Sequence, residues 1–327
     1  MSAQAAAFWV REPGLGEIRP AAIRDPGPGE VLIRTLYSGI SRGTEALVFE
    51  GRVPQDQYQT MRAPFQQGDF PGPVKYGYLN VGRVDAGVPD LIGRTVFCLF
   101  PHQTVYTVPA SAVIEVPKGV SPRRAVLTGI VETAVNALWD AHPLLGDRIA
   151  VVGAGLVGCC VARLAADFPG AEVTLIDTNP ARAAIADAFG IRFATPGTTT
   201  TEYDVVLHAS ATSAGLQCAL GLLAAEGRVI ELSWYGDQPV TVNLGGVFHS
   251  RRLDIRASQV SVVSPEQQGR RSNRQRLELA LDLLRDSSFD ALLTGSSTFD
   301  ELPAVMPKLA DGTLPALCHT IDYSVRA

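Results

Sequence analysis

Motif-spaced cysteines, long apolar runs and blocks of basic charge are all missing from this chain of 327 residues. Its five cysteines, Cys98, Cys159, Cys160, Cys218 and Cys318, form no CxxC pair, which excludes a zinc ribbon or a dithiol redox motif. No stretch of about 18 unbroken apolar residues occurs, so no membrane span is expected. The opening MSAQAAAFWVREPG has neither a basic start nor a long apolar run, so no signal peptide is expected. A cytoplasmic chain with reduced thiols follows as the expectation. The net charge is -5, with no long basic block, so nucleic acid is not an expected partner. Arg270, Arg271, Arg274 and Arg276 come nearest to a basic patch and read as a solvated loop and helix start. What is present is a 46% hydrophobic composition on a length that suits two domains.

Residues 1–122 read as short strands punctuated by glycine and proline, as in Asp25-Pro26-Gly27-Pro28-Gly29. The polar stretch 51–75 reads as a long loop, a class that often carries function. From about residue 123 the pattern changes. RRAVLTGIVETAVNALWDA has helical spacing. Strands at 148–153, 172–177, 191–194, 204–210 and 228–233 then alternate with helices at 156–168, 180–189 and 213–226. Continuous Val/Ile/Leu strands between amphipathic helices imply a parallel sheet covered on both faces. Near residue 258 the alternation stops. A helix follows Ser272 as N-cap, with Leu277, Ala280, Leu281 and Leu284 on one face. A strand-like Cys318–Tyr323 closes the pattern.

VVGAGLVG supplies Gly153, Gly155 and Gly158 between an apolar strand and a helix, the context that gives GxGxxG its meaning. Gly153 allows the tight turn, Gly155 the approach of a pyrophosphate, and Gly158 close helix–strand packing. Leu156 and Val157 sit at the helix N-terminus, whose free N–H groups favour phosphate. Asp177 stands nineteen residues after Gly158, at the place of a carboxylate on the adenosine ribose. It repels a 2′-phosphate, so NAD is the expected cofactor and NADP the less favoured one, despite Arg182 nearby.

The order of parts, with AFWVREPG…DPGPGEVLIRT, Thr107–Ala110, Glu132-Thr133-Ala134 and Phe248–Leu253, resembles the medium-chain dehydrogenase/reductase superfamily of alcohol dehydrogenase type. The resemblance implies an α/β fold. A GroES-like β-barrel catalytic domain (1–122, completed by 259–327) joins a Rossmann doubly wound parallel sheet (123–258). It implies hydride transfer between nicotinamide and a small-molecule alcohol or ketone. It also implies a homodimer or homotetramer paired around Leu253–Val260. Zinc-using members place ligands at three positions, which here hold Ser41 (in Gly39-Ile40-Ser41), Tyr78 (in Gly77–Val84) and Gly129. These cannot form a normal zinc shell, so no catalytic zinc is expected. Ser38–Glu45 and the Gly-Tyr segment are locally similar to hydroxyethyl bacteriochlorophyllide dehydrogenase.

Without zinc, a donor or general acid must meet the charge that develops on oxygen. Tyr78 is the first candidate, with space filling as its alternative. His102 is the second, as a proton relay. Ser41, Thr44 and Glu45 share one loop, and Glu45 could orient Tyr78 or His102. Lys75 could lower a tyrosine pKa, or be a solvated lysine. On the cofactor side the resemblance implies Thr133, Ala209, Ser233 and Trp234. His142, His208, His249 and His319 read as structural. Two other functions stay open: an NADPH-dependent quinone or enone reductase, and a cofactor-binding protein that no longer turns over.

Overall fold

The structure is a computed structural model that describes residues 5–199 and 202–324. The chain divides into two compact units, residues 1–129 with 293–327, and residues 130–292.

The first unit is β-rich. One sheet orders the strands Leu293–Thr298, Cys318–Asp322, Glu30–Ser41, Asn80–Gly87, Thr95–Cys98 and Val113–Glu115, and Val105–Pro109 also pairs with Glu30–Ser41. Alternation along EVLIRT turns Val31, Ile33 and Thr35 inward, as the two-residue period of a half-buried strand requires. Val31 and Ile33 meet Val84, Val96, Cys98, Phe100, Tyr106, Val108 and Val113 in one core. A second sheet orders Leu15–Pro20, Ala6–Glu12, Val74–Lys75 and Gln67–Gly68. The expected loop 51–75 therefore contains two short strands. The C-terminal strand pairs antiparallel with Glu30–Ser41, Cys318 opposite Ser41.

The second unit carries six parallel strands in the order Arg192–Ala194, Glu172–Ile176, Arg148–Val152, Tyr203–His208, Leu223–Glu231 and Asp254–Ala257. In chain order this is 3-2-1-4-5-6, the doubly wound order of dinucleotide-binding sheets. The helix expected over 213–226 stops at Leu222, because Leu223 already pairs with Tyr203 on the neighbouring strand. The helix after Ser272 spans Asn273–Leu283 and starts with a capping box between Ser272 and Gln275. Among the described residues no helix is long and apolar enough to cross a membrane.

Residues 259–292, expected with the β domain, cluster with the nucleotide unit. The reason is Arg276, which the sequence reading placed in a solvated patch and which is fully buried. Its guanidinium donates to Glu132 Oε1 at 3.1 Å, Asn136 Oδ1 at 2.5 Å and the Val262 carbonyl at 3.2 Å, and also to the Val260 carbonyl. Burial pushes Glu132 up to about 7 against the pull of Arg276. Removing one partner of a buried pair strands the other. Arg276→Ala should therefore destabilise the chain by about 3–5 kcal/mol, read from denaturant midpoints. Arg274→Ala, on an exposed pair with Glu278, should cost less than about 1 kcal/mol.

Candidate active site

The glycine turn closes the strand Arg148–Val152. Gly153 has φ 108°, which favours glycine. A Cβ there would lie 2.7 Å from Ser210 N, and one on Gly158 would lie 1.9 Å from Gly153 O. A Cβ on Gly155 would meet nothing within 4 Å. Two glycines thus serve close packing while the third faces open space, as an approaching pyrophosphate needs. The helix Leu156–Ala165 starts immediately after, with Leu156 buried and Val157 half-buried. Asp177 turns back onto the turn: Oδ2 accepts the Ala154 N–H at 2.7 Å and Oδ1 the Asn179 N–H at 2.8 Å. Thr133, Ser233 and Trp234 are half-buried, and Ala209 directly follows the strand Tyr203–His208.

The first unit brings Ser41, Glu45, Tyr78 and His102 together. Ser41 ends the strand Glu30–Ser41 and begins the helix Arg42–Phe49, and Glu45 lies in that helix's first turn. Glu45 Oε1 accepts the Ser41 N–H at 2.8 Å, and Glu45 Oε2 lies 2.8 Å from His102 Nε2. His102 Nδ1 lies 2.7 Å from Ser38 Oγ, itself 2.9 Å from the Tyr323 hydroxyl. A carboxylate at Glu45 takes the Nε2 proton, so Nδ1 accepts from Ser38 and Ser38 from Tyr323. Glu45, His102 and Ser38 are all buried. Burial, with Glu45 adding to it, pushes the Tyr78 phenol up to about 12 against the pull of the nearby Ser41 and Thr44 hydroxyls. At neutral pH Tyr78 is a protonated donor. Tyr76 lies edge-on to it, with ring centroids 6.1 Å apart.

Ser41, Tyr78 and Gly129 offer no thiolate, imidazole or carboxylate. A side chain on Gly129 would lie 2.8 Å from Leu79 Cδ2, so Leu79 fills the third position. Among the described residues no group of three His, Cys, Asp or Glu is placed to hold a metal. The donor set does not fit a zinc shell.

Ser38 and Tyr323 carry no role in the sequence taken alone, because they lie 285 residues apart and meet only in the fold. His208, read as structural, is buried between Glu231 and Ser210. Lys75 is buried rather than solvated, donating to Gln103 Oε1 at 2.7 Å beside the Phe100 ring.

The comparisons agree on kinship. No protein-family model matches the chain. The 2-desacetyl-2-hydroxyethyl bacteriochlorophyllide A dehydrogenase of Rhodobacter capsulatus is 28% identical over 235 residues, 66% of this chain and 69% of that protein. Among solved structures, rspB of Escherichia coli CFT073, complexed with NADH, matches with TM-score 0.77 at 16% identity, covering 98% of this chain and 99% of that one. A chain described as a zinc-binding dehydrogenase from Sinorhizobium meliloti 1021, bound to NADP, matches with TM-score 0.77 at 16% identity, covering 98% and 100%. The relatives are named dehydrogenases, and the solved structures share this chain's fold.

Burial lowers the Lys75 ammonium from 10.5 to about 8. Between those values the unfolded chain holds a proton that the folded chain has released, so stability rises with pH across that window. Lys75→Met should remove this rise, seen as the difference between wild-type and variant unfolding midpoints at pH 7 and pH 10.

Proposed function

We propose that this chain, an alcohol dehydrogenase-like oxidoreductase, exchanges hydride between NAD(H) and an alcohol or ketone without a catalytic zinc. The observation that carries the proposal is the pair Ser41 and Tyr78, at positions to which the resemblance assigns zinc ligands, backed by the buried Ser38–His102–Glu45 series. The glycine turn and the helix start at Leu156 would hold the dinucleotide phosphates, and Asp177 favours a free ribose hydroxyl over a 2′-phosphate. The bound nicotinamide would supply the hydride.

Reduction of a ketone adds hydride to carbon and leaves the electron pair of the C=O bond on oxygen. A proton must then reach that oxygen. Tyr78 is the donor assigned to it, and the nearby Ser41 and Thr44 hydroxyls favour release of its proton. Zinc would stabilise the same charge by several kcal/mol; a positioned donor typically contributes roughly 10²–10⁴-fold. Glu45, His102 and Ser38 position the loop and strand end that carry these hydroxyls. A homodimer or homotetramer paired around Leu253–Val260, the segment that holds the edge strand Asp254–Ala257, is part of the proposal.

Protein stripped of metal by chelation should oxidise NADH with a ketone panel at the untreated rate, and NADPH more slowly. Stoichiometric zinc whose removal abolishes turnover would sink the zinc-free mechanism. Faster turnover of quinones or enones with NADPH would replace it with conjugate reduction. Tyr78→Phe should lower kcat by about 10²-fold and leave KM for NADH within about twofold. An unchanged kcat would reduce Tyr78 to a space-filling ring.

A further inference from the structure

A second Ser–His–Glu series lies in the nucleotide unit, outside the cluster around Tyr78. His208 ends the strand Tyr203–His208 and is fully buried. Its Nδ1 lies 2.7 Å from Glu231 Oε2 and its Nε2 2.6 Å from Ser210 Oγ. Glu231 ends the neighbouring parallel strand, directly opposite His208. Glu231 also accepts the Ser233 N–H at 2.8 Å and the Tyr235 hydroxyl at 3.0 Å. Burial works against its charge, but the bonds from His208 and Ser233 prevail and hold the carboxyl below its usual range. On the other side, Ser210 Oγ lies 3.0 Å from Thr212 Oγ1, which accepts the Gly215 N–H at 3.0 Å. The Ala211 N–H donates to Ser233 Oγ at 3.1 Å, tying the two post-strand segments together.

The directions of these bonds follow from the carboxylate. Glu231 takes the Nδ1 proton, so Nε2 is an acceptor and Ser210 must give it the one hydroxyl proton it has. Thr212 then gives its hydroxyl proton to Ser210 Oγ, and one Ser210 lone pair is left as an acceptor. A side chain on Gly215 would collide with it at 2.0 Å, so the relay is walled in on the helix side, while Ser210 itself is only half-buried.

Its place in the sheet gives this acceptor a use. Strand order reverses between Arg148–Val152 and Tyr203–His208, and open doubly wound sheets bind ligands in that crevice, beyond the carboxyl ends of the strands. The backbone of Ser210 lies against the glycine turn there, 2.7 Å from a Cβ built on Gly153. The turn takes the pyrophosphate. The segments after Tyr203–His208 and Leu223–Glu231 are then left for the nicotinamide riboside half.

We propose that Glu231 and His208 are positioning residues that hold Ser210 Oγ as a fixed acceptor for a hydrogen-bond donor of that nicotinamide riboside half. The inference rests on the nicotinamide reading above. Calorimetric titration of the full chain with NADH and with ADP-ribose separates the two. Ser210→Ala, which removes one oxygen, should weaken NADH about tenfold, the worth of a typical single hydrogen bond, with ADP-ribose unchanged within about twofold. Glu231→Gln should do the same. A purely structural relay would lower both affinities together, and that result overturns the inference, as does no change in either. Wild-type protein that binds neither ligand overturns the nicotinamide reading itself.

Discussion

Glu45, His102 and Ser38, a carboxylate, an imidazole and a hydroxyl in buried series, hold together pieces of the β-rich unit that are distant in sequence. A buried carboxylate is costly unless its oxygens are satisfied. Here both are used: one binds the Ser41 amide, the other His102. That fixes the end of the strand Glu30–Ser41 against the start of the helix Arg42–Phe49. The His102 backbone carbonyl accepts the Phe8 N–H at 2.9 Å, and Ser38 reaches Tyr323 at the other end of the chain. The imidazole also dictates its neighbour. A Cβ on Gly77 would lie 3.0 Å from His102 Cδ2, and Gly77 has φ 130°. The positive φ favours glycine and the imidazole leaves little room for more, and the next residue is Tyr78.

The departures from a zinc shell are mutually consistent. Loss of one ligand would leave a partial shell and a polar hole. In this chain Leu79 occupies the space beside Gly129, Ser41 spends its amide on Glu45, and Tyr78 closes on hydroxyls. The order carboxylate, imidazole, hydroxyl recurs at Glu231, His208 and Ser210 in the other unit. In both cases the carboxylate sets the tautomer, and the tautomer sets which way the hydroxyl points its proton.

Features whose physics is local were legible in the sequence. The glycine turn, the spacing to Asp177 and the N-cap at Ser272 each sit within one or two elements. Arg276 was not legible, because its partners Glu132 and Asn136 lie 144 and 140 residues away. His102 and Glu45 are 57 residues apart and meet only through the sheet. The helix end at Leu222 was lost for a different reason. LGLLAA suits either state by propensity, and pairing with Tyr203 decides it. His208 and Glu231 were within reach: each ends its strand, and adjacent parallel strands in register bring such ends together.

Charge balance decides what a tyrosine can do at a position to which the resemblance assigns a zinc ligand. A phenol held near 12 is a weaker acid than zinc-bound water, with its pKa of about 7. It therefore gives up its proton only as a strongly basic alkoxide forms. Glu45 helps to raise that phenol, and the same negative charge opposes a developing oxyanion. Two donors answer this: the His102 Nε2 proton and the Ser41 amide, each 2.8 Å from a Glu45 oxygen, hold the carboxylate's charge in hydrogen bonds and weaken the field that reaches the phenol.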